Sequence, residues 1–600
     1  MFSRLSSLLQ FTVLLGTATA SPTHGTSTVV RPVTPTTVSV SASSDFSSLP
    51  SSLSAASSSS TLASTPSPST PLATAALDKA QVIGIVNGPV TTFNGIPFAE
   101  PPVGDLRFRF PVPVHGYNGT INATQPATQC IQLEPQIRVD MPPQMLQDVE
   151  VYSTSVLSSS SAPQSEDCLN INVQIPTGTK PGEKLPVVAF IFGGGFVVGS
   201  NAQMPGDAVV ARSVEMGQPV IYAAMNYRLH AFGFLGGKEV KDAGVGNLGL
   251  HDQREALRWI QKNIAAFGGD PEKVTLWGPS SGAISSTLQM VTNGGNTEGL
   301  FRGSVMSAGS TIPTGDIEEL QPIYDRVVDA AGCNVADDTL ECLRQLPAAN
   351  LTAAAGTIPS LFGYPGLATP WAPRADGKFL TAPPEHLHLV LANQVADIPF
   401  ISGDALDEGT IFATGSFNIT TEQQFRDYVH QFFFPHVPSA ALLEPLFNLY
   451  PNDPAAGSPF LTGDANQLAP MYKRMAAFQG DMIFQAPRRF ILDQRSSKQP
   501  TWSYISERCA VPRLGFAHGT DIASAISGQE LADYIIQFAA TQDPNGKNGT
   551  ASERTIYWPK YDTAKRQVLS VLNDSLAIGN DTLRLEPIAS LTALSLAFPL

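Results

Sequence analysis

From about residue 77 onward, apolar and polar positions alternate in short runs that predict β-strands. Two of these runs flank an Asn-Gly pair at residues 87–88, which is the strongest short-range signal for a hairpin. Other runs are continuous apolar stretches, which are typical of strands covered on both faces. The predicted strands comprise residues 81–86, 91–96, 169–175, 185–192, 219–225 and 274–277.

Residues 252–267 instead show the three- and four-residue apolar spacing of an amphipathic helix. Because this helix lies between two predicted strands, we expect a mostly parallel sheet with crossover helices. Further strands of the sheet are predicted at residues 398–402 and 501–505, and helical cap insertions at 300–397 and 421–485. The expected fold class is therefore α/β, with helices flanking a central sheet.

The N-terminal region has a different composition. Arg4, the apolar residues 8–15 and the small residues 18–20 have the order of a secretory signal peptide, which we assign to residues 1–20. Residues 21–76 are rich in Ser, Thr and Pro and are expected to form a disordered, O-glycosylated tether. We therefore predict a secreted protein whose folded α/β domain spans residues 77–600, with the tether as a candidate attachment to the cell wall.

The overall charge limits the class of partner. The formal net charge is −15, with 42% hydrophobic and 14% charged residues, and this composition is typical of a soluble globular protein. Binding to nucleic acid requires a basic face, so nucleic acid is not an expected partner.

Cysteines and sequons fit an exported chain. Cys333 and Cys342 are close enough to close a small loop, Cys130 and Cys168 could close a long one, and Cys509 is expected to be a buried free thiol. None of these spacings suggests a metal site. The N-glycosylation candidates are Asn118, Asn122, Asn350, Asn418, Asn548, Asn573 and Asn580.

The segment Gly-Pro-Ser-Ser-Gly at residues 278–282 fits the nucleophile-elbow pattern G-x-S-x-G. In such a strained turn, a Cβ at Gly278 or Gly282 would collide with the neighbouring backbone. The turn would expose Ser280 Oγ at a helix N-terminus, where free N–H groups favour developing negative charge. The alternative is an ordinary glycine- and serine-rich turn.

A serine nucleophile needs a base, an acid that orients the base, and donors for the oxyanion. The glycine run at residues 193–195 follows a predicted core strand, which makes the N–H groups of Gly194 and Gly195 candidate donors, with that of Ser281 as a third. Around this elbow the expected order is serine, acid, histidine. That order favours His518, in a loop after a predicted strand, while His430 and His436 are expected to pack in a core. For the acid, Asp404, Asp407 and Glu408 remain open alternatives.

Several segments together resemble the type-B carboxylesterase/lipase family, the α/β-hydrolase group that includes cholinesterases and fungal secreted lipases. The resemblance extends from about residue 82 to the C-terminus. The segments that carry it are residues 94–108, 166–172, 193–195, 226–228, 247–253, 267–271, 278–282, 407–409 and 518–519.

The resemblance implies a function and specific residues. The implied activity is ester hydrolysis through an acyl-enzyme, with Ser280, Glu408 and His518 as the triad and Gly194, Gly195 and Ser281 as oxyanion donors. It implies the disulfides Cys130–Cys168 and Cys333–Cys342, and the ion pairs Arg107–Glu166 and Arg228–Asp252. No metal or organic cofactor is implied, and the expected substrate is a small-molecule or lipid ester.

Some positions depart from the family pattern. Pro279 replaces the usual Glu before the nucleophile, and residues 131–167 contain no Trp, so we expect a weak preference for cationic esters and no choline-ester substrate. Leu367 and Thr369 fall roughly where bulky residues narrow the acyl pocket of cholinesterases, which points to a roomier acyl site.

The long loop closed by Cys130 and Cys168 carries several apolar residues: Leu133, Ile137, Val139, Met141, Met145, Leu146 and Val149. It could be a mobile lid with transient lipid-interface contact, as in a true lipase or sterol esterase, or a static flap packed on the body. The more distant alternative function is a non-catalytic, cholinesterase-like binding protein.

Overall fold

A single mixed sheet runs through the part of the protein that the computed structural model describes, namely residues 71–133, 138, 140–156, 162–359, 361–381, 390–546 and 548–600. Its strands are β1 (Leu72–Leu77), β2 (Lys79–Asn87), β3 (Val90–Pro97), β4 (Asn118–Asn122), β5 (Asn170–Pro176), β6 (Leu185–Ile191), β7 (Ile221–Met225), β8 (Gly269–Pro279), β9 (Gly303–Ser307), β10 (Phe400–Ala405), β11 (Thr501–Glu507), β12 (Gln567–Leu572) and β13 (Leu576–Asn580).

The sheet has a parallel centre and antiparallel margins. Its strand order is β1-β2-β3-β5-β7-β6-β8-β9-β10-β11-β12-β13, and β4 pairs with β2. From β7 to β12 every neighbouring pair is parallel, whereas the pairs from β1 to β7 along the path and the pair β12–β13 are antiparallel. The predicted mostly parallel central sheet is confirmed.

Helices connect and flank these strands. They are α1 (Pro143–Ser155), α2 (Asp207–Glu215), α3 (His230–Phe234), α4 (Lys238–Ala243), α5 (Leu248–Asn263), α6 (Ser281–Val291), α7 (Gln321–Ala331), α8 (Thr339–Gln345), α9 (Ala348–Ala355), α10 (Thr410–Ala413), α11 (Glu422–Tyr428), α12 (Glu444–Leu449), α13 (Tyr472–Gly480), α14 (Ala486–Arg495), α15 (Thr520–Ile526), α16 (Glu530–Thr541) and α17 (Leu585–Ala597). Helices α5 and α6 contact β8, and α2 and α16 contact each other and the sheet.

Two boundaries differ from the sequence expectations. Strand β1 begins at Leu72 and pairs with β2, so the predicted boundary between tether and catalytic domain at residues 76 and 77 is too late. The predicted cap insertion at residues 300–397 contains β9, which lies between β8 and β10 in the sheet. Both strands are short and rich in small residues, so their sequences carry little strand signal. Residues 1–70, which hold the signal peptide and most of the predicted tether, lie outside the described residues.

The core consists of two buried apolar clusters. One surrounds the sheet and includes Phe190 and Trp277, whose ring centroids are 5.3 Å apart. The other lies among the cap helices and includes Phe433 and Phe478. Among the described residues, no helix has both the length and the apolarity that crossing a membrane requires.

The cystines and ion pairs that the resemblance implies are present. Cys130 is joined to Cys168 and Cys333 to Cys342. Arg107 Nε lies 2.6 Å from Glu166 Oε1, and Arg228 Nη2 lies 2.7 Å from Asp252 Oδ1. Cys509 is an exposed free thiol, so the expectation that it is buried is wrong. It has a positive φ of 59° in the turn that follows β11.

The buried Arg228–Asp252 pair provides a test of the core. Asp252 also accepts the Arg228 backbone N–H and is fully buried, so Asp252→Ala would leave a guanidinium without its counter-charge. We expect Asp252→Ala to lower the free energy of unfolding by about 3–5 kcal/mol in urea titrations. Asp242→Ala, which breaks the exposed Lys238–Asp242 pair, is the control and should leave the unfolding midpoint unchanged. Equal midpoints for the two variants would contradict the account.

Candidate active site

The turn between β8 and α6 holds Ser280 in a strained conformation. Ser280 has φ 53° and ψ −125°, and its N–H donates to Ser307 O at 2.8 Å. A Cβ on Gly278 would lie 2.2 Å from Gly282 O, and a Cβ on Gly282 would lie 2.0 Å from Ile191 O. The steric role predicted for these two glycines is confirmed, because the strand and the helix leave no room for a side chain at either position.

Three residues that are distant in the sequence meet at this turn. His518 Nε2 lies 2.9 Å from Ser280 Oγ, and His518 Nδ1 hydrogen-bonds to Glu408 Oε2. Glu408 follows β10, and His518 lies in the loop between β11 and α15. A bridge between Asp407 and Ala517 brings these two loops together. The hydroxyl, the imidazole and the carboxylate therefore form one continuous hydrogen-bonded chain.

The three acid candidates have separate environments. Glu408 accepts the Ala405 N–H at 2.6 Å and reaches the imidazole. Asp407 turns away and accepts hydrogen bonds from Ser458 Oγ and from the backbone N–H groups of Phe460 and Phe516. Asp404 instead pairs with the buried Arg488, 3.1 Å from its Nε. Sequence spacing could not separate these carboxylates, whereas the geometry places only Glu408 of the three against His518.

The remaining histidines have other surroundings. His230 Nε2 lies 3.0 Å from Ile131 O, His251 packs against the rings of Phe110 and Phe379, and His430 Nε2 lies 2.9 Å from Val437 O. The side chain of His436 is 45% exposed, so the expectation that it packs in a core is wrong. His24, His386 and His388 lie outside the described residues.

The glycine run after β6 approaches the serine. Gly194 has a φ of 115°, and a Cβ there would lie 2.1 Å from Val198 O, so the position excludes any side chain. Gly195 and Ser281 border the same cavity as Ser280. The backbone of the glycine run and that of Ser281 therefore both reach the cavity at Ser280.

The cavity that begins at Ser280 has a volume of about 360 Å³ and mostly apolar walls. Phe412 and Phe484 line it beside the triad, where their ring centroids lie 5.2 and 4.7 Å from that of His518. Leu367 and Thr369, which the resemblance assigns to the acyl pocket, also line this cavity. Such a cavity can hold an apolar organic group close to the hydroxyl.

Burial dominates the electrostatics of the site. It lowers the pKa of His518 to about 4, although the carboxylates of Asp521 and Asp404 act in the opposite direction. Burial, together with the charge of Asp521, raises the pKa of Glu408 well above its ordinary value. The imidazole is therefore neutral at pH 7 and able to accept a proton from Ser280.

The Cys130–Cys168 loop contains α1, which packs with its apolar side inward. Leu133, Met141, Met145 and Val149 are buried. Ile137 and Val139, two of the apolar residues named in this loop, lie outside the described residues. Within the described residues, no group of three or more His, Cys, Asp or Glu side chains is arranged to hold a metal ion.

Sequence reasoning missed several neighbours of the triad. Phe412, Phe484, Asp521 and Tyr152 carry no motif that assigns them to a site. Asp521 lies at the start of α15, three residues after His518, but His518 precedes the helix, so helical spacing does not pair the two residues. Its carboxylate accepts the Tyr504 hydroxyl at 2.6 Å.

Comparisons with known proteins identify a matching family and a similar fold. Residues 71–585 match the Carboxylesterase family. Secreted lipase 1 of Botryotinia fuckeliana is 42% identical over 515 residues, covering 82% of this chain and 88% of the relative. Secreted triacylglycerol lipase LIP1 of Gibberella zeae is 39% identical over 531 residues, covering 85% of this chain and 88% of the relative. The crystal structure of Aspergillus niger EstA matches with a TM-score of 0.71 at 25% identity, covering 86% of this chain and 96% of that chain.

The family match spans most of the chain, and relatives above 30% identity cover more than two thirds of it. The chain belongs to the carboxylesterase family and is a secreted carboxylic ester hydrolase with an α/β-hydrolase fold.

Proposed function

We propose that Ser280, His518 and Glu408 form the catalytic triad and that the adjoining cavity binds the acyl group of the ester. The observation that carries this proposal is the hydrogen-bonded chain from Ser280 Oγ through both ring nitrogens of His518 to Glu408. Ser280, at one end of this chain, also lines an apolar cavity of about 360 Å³. The proposed nucleophile Ser280 therefore contacts its base, His518, and also borders the proposed acyl pocket.

In the first half-reaction, Ser280 Oγ attacks the carbonyl carbon of the ester while His518 Nε2 takes the hydroxyl proton. The carbonyl oxygen becomes an oxyanion, which the N–H groups of Gly194, Gly195 and Ser281 stabilise. One such preorganised donor contributes about 2.7–4 kcal/mol to transition-state stabilisation. The tetrahedral intermediate then expels the alcohol, which receives the proton from His518, and the acyl-enzyme remains.

In the second half-reaction, water hydrolyses the acyl-enzyme through the same proton transfers. His518 Nε2 takes a proton from water as the water oxygen attacks the acyl carbon, and the proton then returns to Ser280 Oγ as the carboxylic acid leaves. Glu408 fixes the tautomer of His518 with the proton on Nδ1. Because Glu408 is buried and poorly solvated, its charge is best compensated when the ring becomes an imidazolium, which favours both proton transfers.

The acyl specificity follows from the cavity. Its walls near the serine are aromatic, and Leu320, Ile323 and Leu600 line it elsewhere. We infer that it takes a medium or long aliphatic acyl chain. The alternative is a true lipase or sterol esterase that acts at a lipid interface. Several relatives are named as lipases, which supports the lipase form of this alternative.

We also propose that the chain carries N-linked glycans and is held at the cell surface by its N-terminal tether. All seven sequon asparagines are exposed, as glycosylation requires. Relatives named as secreted support the extracellular location, and the Ser/Thr/Pro composition of residues 21–76 supports the tether.

A pair of adjacent serines tests the nucleophile. Ser280→Ala removes the attacking oxygen and should lower kcat/KM for a soluble p-nitrophenyl ester by about 10⁴-fold or more. Ser281→Ala removes a neighbouring hydroxyl but keeps the backbone N–H, so it should retain activity within about threefold of wild type. Substantial hydrolysis by Ser280→Ala would exclude the proposed nucleophile.

The acid limb of the pH dependence of kcat/KM tests the protonation state of His518. Activity requires neutral His518, so it is present above the pKa of His518 and is lost as the pH falls through that value. Because burial lowers this pKa from 6.5 to about 4, the acid limb of kcat/KM for a soluble ester should be centred well below 6.5. The enzyme must recover full activity after return to pH 7, and a reversible midpoint at or above 6.5 would contradict the expectation.

Substitution of Leu367 tests the acyl pocket. Leu367→Trp places a larger side chain in the cavity and should lower kcat/KM about tenfold for long-chain p-nitrophenyl esters but less than twofold for the acetate. The matched control is Leu442→Trp at a residue that is 57% exposed, which should leave the chain-length profile unchanged. An unaltered profile in Leu367→Trp would place the acyl chain elsewhere.

A further inference from the structure

The helix α1 of the disulfide-closed loop is hydrogen-bonded directly to the loop of the proposed catalytic histidine. The Tyr152 hydroxyl donates to the backbone carbonyl of His518 at 2.9 Å. Tyr152 is 1% exposed, so no solvent competes for this bond. The bond fixes the backbone of His518, whose imidazole must reach Ser280 Oγ.

Two further contacts join the same elements. Arg513, which precedes His518 in its loop, pairs through two guanidinium nitrogens with both oxygens of Asp148 on α1, and its Nε lies 2.8 Å from Asp148 Oδ2. Asp148 is fully buried. At the C-terminal end of α1, Val156 packs so closely that a Cβ on Gly519 would lie 2.9 Å from its Cγ1. The contacts lie on both sides of His518.

We propose that Tyr152 is a positioning residue for His518 and that the position of α1 on the histidine loop is the catalytically competent one. This inference rests on the proposed triad. A buried carbonyl that loses its donor is costly, so the loop would shift to find another partner. Since a displacement of about 1 Å in a catalytic group can reduce the rate about 100-fold, even a small shift of His518 slows proton transfer.

The opposite hypothesis is that this position of α1 is a resting cover, which must leave the histidine loop before turnover. The two hypotheses predict effects of opposite sign. If α1 supports His518, weakening its contacts lowers kcat. If α1 must first lift away, the same contacts oppose turnover, and weakening them raises kcat.

Tyr152→Phe tests the inference because it removes only the hydroxyl. On a soluble p-nitrophenyl ester below its solubility limit, we expect kcat to fall about three- to tenfold while KM changes less than twofold. The rate of inactivation by a soluble organophosphonate should fall by the same factor, because that reaction also needs His518 to activate Ser280. A loss of packing alone would lower the thermal midpoint without this joint effect.

The control is Tyr534→Phe on α16, where another buried hydroxyl donates to a backbone carbonyl, that of Ile556, at 2.7 Å. It should keep wild-type kcat. If Tyr152→Phe does not fold, Asp148→Asn weakens the second contact between α1 and the loop and should also lower kcat. Unchanged or raised kcat in the folded variant overturns the inference. Ser280→Ala in the same assay keeps the two proposals distinct, since its activity would instead overturn the triad.

Discussion

The strained backbone at Ser280 is the constraint on which the rest of the site depends. A residue with a side chain and a φ of 53° persists only where its surroundings hold it. Here the holding elements are β9, which accepts the Ser280 N–H, and the close approach of Gly278, Gly282 and Ile191. This turn aims the hydroxyl across the carboxyl ends of the parallel strands, which is where the loops bearing Glu408 and His518 also emerge.

Burial away from solvent sets the protonation states of His518 and of the carboxylates around it. Around His518 lie three buried carboxylates, those of Glu408, Asp521 and Asp404, and burial raises the pKa of Asp404 to about 8 in spite of its contact with Arg488. A buried neutral imidazole accepts a proton readily only if a nearby negative charge stabilises the imidazolium that forms. Burial keeps His518 neutral at rest and by itself opposes the imidazolium, so in the proposed mechanism the ionised carboxylates beside the ring must stabilise that cation once Ser280 attacks.

Local patterns predicted the centre of the fold well and its edges poorly. The continuous apolar runs of β6, β7 and β8 reveal strands covered on both faces, and the motif around Ser280 reveals the turn that follows. Strand β9, with the sequence Gly-Ser-Val-Met-Ser, and strand β1, rich in alanine, lack such a pattern and are specified by their neighbours in the sheet.

The same limit applies to the site. Order along the chain and a neighbouring glycine were enough to select His518, but spacing could not choose among Asp404, Asp407 and Glu408. That choice depends on which side chain turns toward the imidazole after β10. The contact between Tyr152 and His518 joins residues that are 366 positions apart, so no local pattern could show it. Prediction from sequence fails here because the partners meet only through the tertiary structure.

The central claim is that one hydroxyl, activated by this buried chain of hydrogen bonds, is the nucleophile. The most direct test treats the intact secreted protein with an organophosphonate ester and locates the adduct by mass spectrometry of its peptides. The account predicts one adduct per chain, on Ser280. An active enzyme with its adduct on another residue, or with no adduct at full inhibition, would contradict it.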